Sequence, residues 1–122
     1  MELWAAQRDD LARWLSNRLN RPVWPPDLTA SGYHLLGGRL AAASRGPAAL
    51  FVYENDSGRR LVLYVRPMRS PENTPITEVD VGDVDGCAWT DRGVGYTLVA
   101  AEPYARLLAL SQAARRQAQS AG

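Results

Sequence analysis

The stretch from Ala48 to Arg66 constrains the fold more than any other part of this chain. Ala48 to Glu54 and Arg60 to Arg66 are rich in aromatic, β-branched and other apolar residues, which suit a pleated strand. Between them lies Asn55-Asp56-Ser57-Gly58, made of residues that tolerate tight-turn geometry. The spacing predicts an antiparallel hairpin. Leu50 to Tyr53 are apolar without a break, and so are Leu61 to Val65. A strand with one wet face alternates, so the hairpin is expected mid-sheet and covered on both faces.

The flanks complete an α+β pattern. Residues 3–19 read as a helix, because Leu11, Trp14, Leu15 and Leu19 recur at spacings of three and four. Pro22 and Pro25-Pro26 stop it, and Asp27 to Gly32 form a turn-rich connector. Tyr33 to Leu36 begin a strand, Gly37-Gly38 mark a bulge or tight bend, Arg39 to Ser44 continue, and Arg45-Gly46-Pro47 turn the chain. Residues 67–75 hold three prolines and read as a loop. Ile76 to Val81 alternate as a strand, and Asp83 to Gly86 read as a turn. Cys87 to Thr90 and Tyr96 to Ala100 form a last hairpin through Asp91-Arg92-Gly93. Pro103 suits the first position of a closing helix, with Tyr104, Leu107, Leu108 and Ser111 on one face. From Arg115 on the residues are small and polar, and residues 115–122 are expected to fray. The expected fold is one α+β domain over residues 1–122: an antiparallel meander of about six strands flanked by an N-terminal and a C-terminal helix.

Composition narrows the function. Fourteen basic and thirteen acidic residues leave a net charge of +1, too even for a broad positive field that would hold nucleic acid. Cys87 is the single cysteine, which excludes a disulfide framework. No run of about 18 apolar residues is present to span a bilayer.

The chain shows no catalytic kit. His34 is the single histidine and sits in a strand without a readable nucleophile beside it. Cys87 reads as a buried, inert thiol. Glu78, Asp80, Asp83 and Asp85 are acidic, and Asp83-Val84-Asp85-Gly86 echoes part of a calcium loop. The twelve-residue ligand spacing is missing. Gly37-Gly38-Arg39 and Gly93-Val94-Gly95 are too short to cradle a phosphate. No catalytic residue, cofactor or metal is expected. Four tryptophans and five tyrosines exceed what a small core needs. Trp89, Arg92 and Tyr96 bracket one hairpin turn and are the candidate protein-contact surface, since arginine and aromatic side chains are favoured at contact hot spots. The competing expectation puts Trp89 and Tyr96 in the core and leaves Arg92 solvated.

Several blocks, taken in order, resemble a known family. They are Trp14 through Pro26-Asp27-Leu28, Gly32 through Gly37-Gly38-Arg39-Leu40, Pro47 to Tyr53, Leu61 to Val65, and Trp89 through Gly95-Tyr96. Together with the Leu-rich closing helix, they resemble the extracytoplasmic region of bacterial membrane-bound anti-sigma factors. The resemblance covers nearly the whole chain and rests on the colinear order of the blocks. It implies a modular regulator of transcription. A cytoplasmic N-terminal domain holds a sigma factor, one membrane helix follows, and this domain lies at the periplasmic face of the inner membrane. A signal there ends in sigma release, often through proteolysis. The chain departs from the family in lacking the His-x3-Cys-x2-Cys motif of the sigma-binding domain and in lacking the membrane segment.

The resemblance therefore implies the sensor half of such a regulator. Its expected partner is a protein, either a sensor or a regulatory protease. Sigma factor and membrane are reached through segments this chain does not carry. A second copy of the domain is a further expected partner if the sheet's second face is open. The alternative is a small-ligand sensor, with a pocket between sheet and terminal helix lined by Trp89, Tyr96 and Tyr104. That reading takes first place, with a cytoplasmic location, if translation starts at Met1.

Overall fold

A computed structural model describes residues 2–4, 8–43, 46–69 and 72–121. In chain order its elements are β1 (Glu2–Trp4), α1 (Arg8–Leu19), β2 (Tyr33–Ala43), β3 (Gly46–Asn55), β4 (Arg60–Pro67), β5 (Thr77–Val81), β6 (Val84–Asp91), β7 (Val94–Ala100) and α2 (Tyr104–Ala121). The fold is the expected α+β arrangement. Among the described residues an antiparallel sheet of seven strands carries an N-terminal and a C-terminal helix. Six strands have five or more residues, and β1 is a three-residue addition at one edge. The spatial order is β1-β2-β3-β4-β7-β6-β5. Two three-stranded meanders, β2-β3-β4 and β5-β6-β7, thus join where β4 pairs with β7.

Local chemistry explains the turns. Asn55 Oδ1 accepts from the backbone N–H groups of Ser57 and Arg59 at 3.0 and 2.9 Å, and Gly58 takes φ +82°. Arg92 and Gly93 both have positive φ, 51° and 82°, the pairing that a two-residue hairpin turn with the sheet's own twist requires. The register of β2 on β3 slips between Leu35 and Gly37, so the Gly37-Gly38 expectation resolves as a bulge at Leu36. Helix α1 ends in a Schellman-type cap: Asn20 turns left-handed at φ 55° and Arg21 N–H donates to Ser16 O at 3.2 Å.

Strand pairing fixes which side chains share a face. Phe51 faces Leu63 across the ladder, Leu63 faces Leu98, and Leu98 faces Cys87. All four are buried, together with Leu11, Leu15 and Leu19 of α1 and Leu107, Leu110 and Ala114 of α2. Both helices therefore pack on one face of the sheet. The buried stripe of α2 is Leu107, Leu110, Ser111 and Ala114, while Tyr104 stays 38% exposed and Leu108 half-buried.

Several expectations are corrected. The central hairpin does lie mid-sheet, but helices cover it on one face. On the other face Val52, Val62, Val79 and Val99 are half-buried and Tyr64 is exposed. The alternating register puts them there, because each is one residue out of step with the core row. Leu3 and Trp4 belong to a strand rather than a helix, since Leu3 pairs with Gly38 and Trp4 with Gly37. The turn assigned to Asp83–Gly86 sits at Gly82-Asp83, where Gly82 has φ +66°. The tail assigned to 115–122 is helical through Ala121, and its first turns are tied down where Gln117 bonds the Asp27 backbone and Ala118 O accepts from Arg92. Gly46 and Pro47, expected in a turn, begin β3. Residues 1, 5–7, 44–45, 70–71 and 122, with the parts of the expected helix, strand, turn, loop and tail that fall on them, lie outside the described residues.

Gly86 shows how tightly the ladder is drawn. A Cβ there would stand 2.8 Å from Leu98 O and 3.3 Å from Val99 Cγ2. A backbone oxygen inside a paired strand cannot step aside cheaply. Gly86→Ala is expected to cost about 1–3 kcal/mol by overpacking, read as a lower denaturant midpoint. An unchanged midpoint would show that the two strands separate freely at that point.

Candidate functional site

The segment Arg21–Pro26, which links α1 toward β2, is held in place at three points. Ser16 Oγ accepts from Val23 N–H at 2.8 Å and donates to Val23 O at 3.1 Å. Tyr53 Oη donates to Pro26 O at 2.7 Å. Gln117 of α2 clamps Asp27, accepting from its N–H at 2.6 Å through Oε1 and donating to its carbonyl through Nε2. Pro22, Pro25 and Pro26 limit the backbone further, because each fixes its own φ. The segment is a rigid wall, and Asp27 then starts the next turn by accepting from Thr29 N–H and Oγ1.

Between this wall, α2 and the sheet lies a cavity of about 450 Å³, within the range usual for small-molecule sites. Leu63, Val65, Val94 and Tyr96 form its floor. Pro22 to Pro26 form one side, and Ala114, Gln117 and Ala118 the other. Ala114 and Ala118 are one helical turn apart, and their short side chains leave the space open. Trp24 stands at the mouth, 51% exposed.

Charge gathers at the same rim. Asp91 is 6% exposed, and its Oδ1 lies 3.6 Å from Arg92 Nε. Arg92 Nη2 donates to Ala118 O at 3.1 Å, and its backbone N–H donates to Asn73 Oδ1 at 2.8 Å. The Arg21 guanidinium lies over the neighbouring turn: its Nη1 would be 3.0 Å from a Cβ placed on Gly93. Arg21 has no ion pair among the described residues. Burial pushes the Tyr96 phenol above its ordinary pKa, the Asp91 charge adds to this, and the Arg92 charge opposes it. Tyr96 is a neutral hydrogen-bonding group in this pocket at neutral pH.

The candidate contact residues separate. Arg92 and Tyr96 line the cavity. Trp89 is 2% exposed and stacks on Tyr96 with ring centroids 5.1 Å apart and planes 12° from parallel. Its ring therefore cannot face a partner, because it lies within the core row. It does not line the cavity either, and neither does Tyr104, which begins α2 beside Glu102. A cavity does lie between sheet and terminal helix, but of the three residues expected to line it only Tyr96 does. Arg21, Trp24, Asp91 and Gln117 were missed. A tryptophan set between prolines at Pro22-Val23-Trp24-Pro25-Pro26 was the available signal.

The other chemical candidates are scattered. His34 Nε2 is 3.8 Å from Asp56 Oδ1, and both side chains are well exposed at a hairpin end. Cys87 is buried, and burial raises its thiol pKa; the Ser111 hydroxyl opposes the shift and the Glu78 charge adds to it. A thiol held neutral in this way is a poor nucleophile. Among the described residues no group of three or more His, Cys, Asp or Glu side chains gathers as a metal site would need. No helix among them is long and apolar enough to cross a membrane. No family model, curated protein or solved structure matches the chain.

Proposed function

We propose that this chain is the non-catalytic extracytoplasmic sensor domain of a membrane-bound anti-sigma factor, regulating transcription by controlling sigma-factor release. The colinear blocks carry the reading, and one observation about them supports it most. Several of their residues stand at turns and close approaches of this fold. Pro26 O receives Tyr53, Asp27 caps the turn into β2, Gly38 lies 3.0 Å beneath Phe51 on a built Cβ, and Gly95 lies 2.9 Å beneath Met68 Sδ in the same sense. Recognition is favoured over catalysis because His34, Cys87 and the acidic residues do not converge. The partner in this reading is a protein, a sensor or a regulatory protease, at the periplasmic face of the inner membrane.

The coding sequence upstream of Met1 tests the proposal. About 20 consecutive apolar residues, enough to cross a bilayer, preceded by a short helical domain are the expected finding. A translation start at Met1 overturns it.

The uncovered sheet face supplies an interaction surface within the same reading. Val52, Val62, Val99 and Val79 lie in one row across β3, β4, β7, β6 and β5, with Gly86 between the last two. The exposed Tyr64 stands in the next row, opposite the buried Leu50. A second copy is the expected occupant, through two-fold pairing of this face. Sedimentation equilibrium is expected to show a dimer that dissociates on Val62→Glu. A strict monomer at high concentration removes the dimer from the proposal.

A further inference from the structure

We propose that the cavity between the Arg21–Pro26 wall and α2 binds a small aromatic monoanion, its ring on the Leu63, Val65 and Tyr96 floor against Trp24 and its charge at Arg21. The site is distinct from the open sheet face, and the inference stands without the anti-sigma reading. Four observations carry it.

First, the wall is preformed. The Ser16, Tyr53 and Gln117 hydrogen bonds hold its backbone, so little ordering is needed on binding. Second, the floor is apolar and carries one aromatic ring, which favours a flat apolar body. Third, Trp24 exposes half its surface although both neighbours, Val23 and Pro25, are buried. An indole held out at a cavity mouth by fixed neighbours presents a face for a second ring. Fourth, the rim carries two guanidinium groups and one carboxylate. Asp91 is engaged with Arg92, which leaves Arg21 as positive charge without a protein counterpart among the described residues. A single negative charge on the ligand complements it. The volume of about 450 Å³ sets the size at that of an ordinary small molecule.

The left-handed backbone of Arg92 fits the same picture. Non-glycine residues rarely adopt a φ of 51°, and the position is maintained here by Asn73 and by Ala118 O. The turn is thus held where its guanidinium closes the α2 side of the mouth.

The test uses 1-anilinonaphthalene-8-sulfonate, an aromatic monoanion, and N-phenyl-1-naphthylamine, its close neutral counterpart. Both are titrated into the 122-residue chain and followed by fluorescence. One saturable site is expected for each. Arg21→Gln is expected to weaken the anion about tenfold, the loss of one charge-assisted contact, and to leave the neutral probe unchanged. Ala118→Phe fills the cavity and is expected to abolish both, with near-ultraviolet circular dichroism showing the fold intact. Trp24→Ala removes a half-exposed ring, so folding does not depend on it, and it is expected to weaken both probes several-fold. The proposal is overturned if the wild-type chain shows no saturable binding, if Arg21→Gln weakens both probes alike, or if Ala118→Phe or Trp24→Ala leaves both unaffected. Co-sedimentation with phosphatidylglycerol vesicles that is lost in Arg21→Gln would also overturn it, making the occupant a lipid headgroup.

Discussion

Trp89→Ala will lower the stability of the domain by about 3–5 kcal/mol, the range for removing a large buried aromatic side chain. Trp89 is the largest of the fully buried side chains. It lies on β6 opposite Tyr96 of β7 and stacks on that ring, so truncation loses both transfer free energy and a ring pair. A natural domain of this size holds about 5–15 kcal/mol in all. The loss will show as a guanidinium midpoint lower by about 1 M with an unchanged slope. Trp89→Phe separates packing from hydrogen bonding. Trp89 Nε1 is buried without a hydrogen-bond partner among the described residues, and an unsatisfied buried donor is itself destabilising. Phenylalanine keeps most of the ring and removes that donor, so it should cost well under half as much as alanine. Equal losses for the two variants would show that the indole nitrogen is satisfied and that its hydrogen bond, not ring volume, holds the site.

The hairpin at Asn55–Gly58 was legible because its information is local. An Asn side chain that bonds its own turn and a glycine for the left-handed position are contained in four residues. The bulge beside Gly37 was legible for the same reason. Leu3 and Trp4 were misread because their apolar spacing fits a helix, whereas pairing with Gly37 and Gly38 decides their state. That contact spans more than thirty residues and leaves no trace in a local pattern. The unbroken apolar runs of β3 and β4 misled about coverage. An apolar run reports that both faces are apolar, not that helices cover both.

The site divides along the same line. Arg92 and Tyr96 flank a turn that sequence chemistry identifies. Trp89 flanks it too, but only the packed fold shows that Trp89 is buried while a cavity opens beside Tyr96. The opposing wall depends on a bond between Asp27 and Gln117, ninety positions apart. Nothing near either residue in sequence announces the other.

Raising the pH from 9 to beyond 12 will remove about 2–3 kcal/mol of stability through Tyr33 alone. Its side chain is fully buried, and its phenol donates to Glu102 Oε2 at 2.8 Å. Burial is the largest cause that raises its pKa from 10.0 to about 12; the hydrogen bond to Glu102 and the Glu102 charge add to the shift, and Arg106 and Arg59 oppose it. The folded state therefore holds this proton more tightly than the unfolded chain does. Its contribution is fully present below pH 10 and is lost as pH rises through about 12. A difference of two units corresponds to about 2–3 kcal/mol. Arg59 Nη1 lies 3.1 Å from Glu102 Oε1 and Arg106 Nε 4.0 Å from Oε2. Arginine stays charged across this range, so the ion pairs persist and the phenol carries the effect. Tyr96 and Cys87 are shifted upward as well, and they add alkaline losses of the same sign. Tyr33→Phe isolates the Tyr33 share. It will be less stable than wild type at pH 8 because the phenol–Glu102 bond is gone, and its stability will fall less steeply between pH 10 and 12. Parallel curves for the two proteins would show that Tyr33 ionises as readily in the folded domain as in the unfolded chain, and that Glu102 is held by its arginines alone.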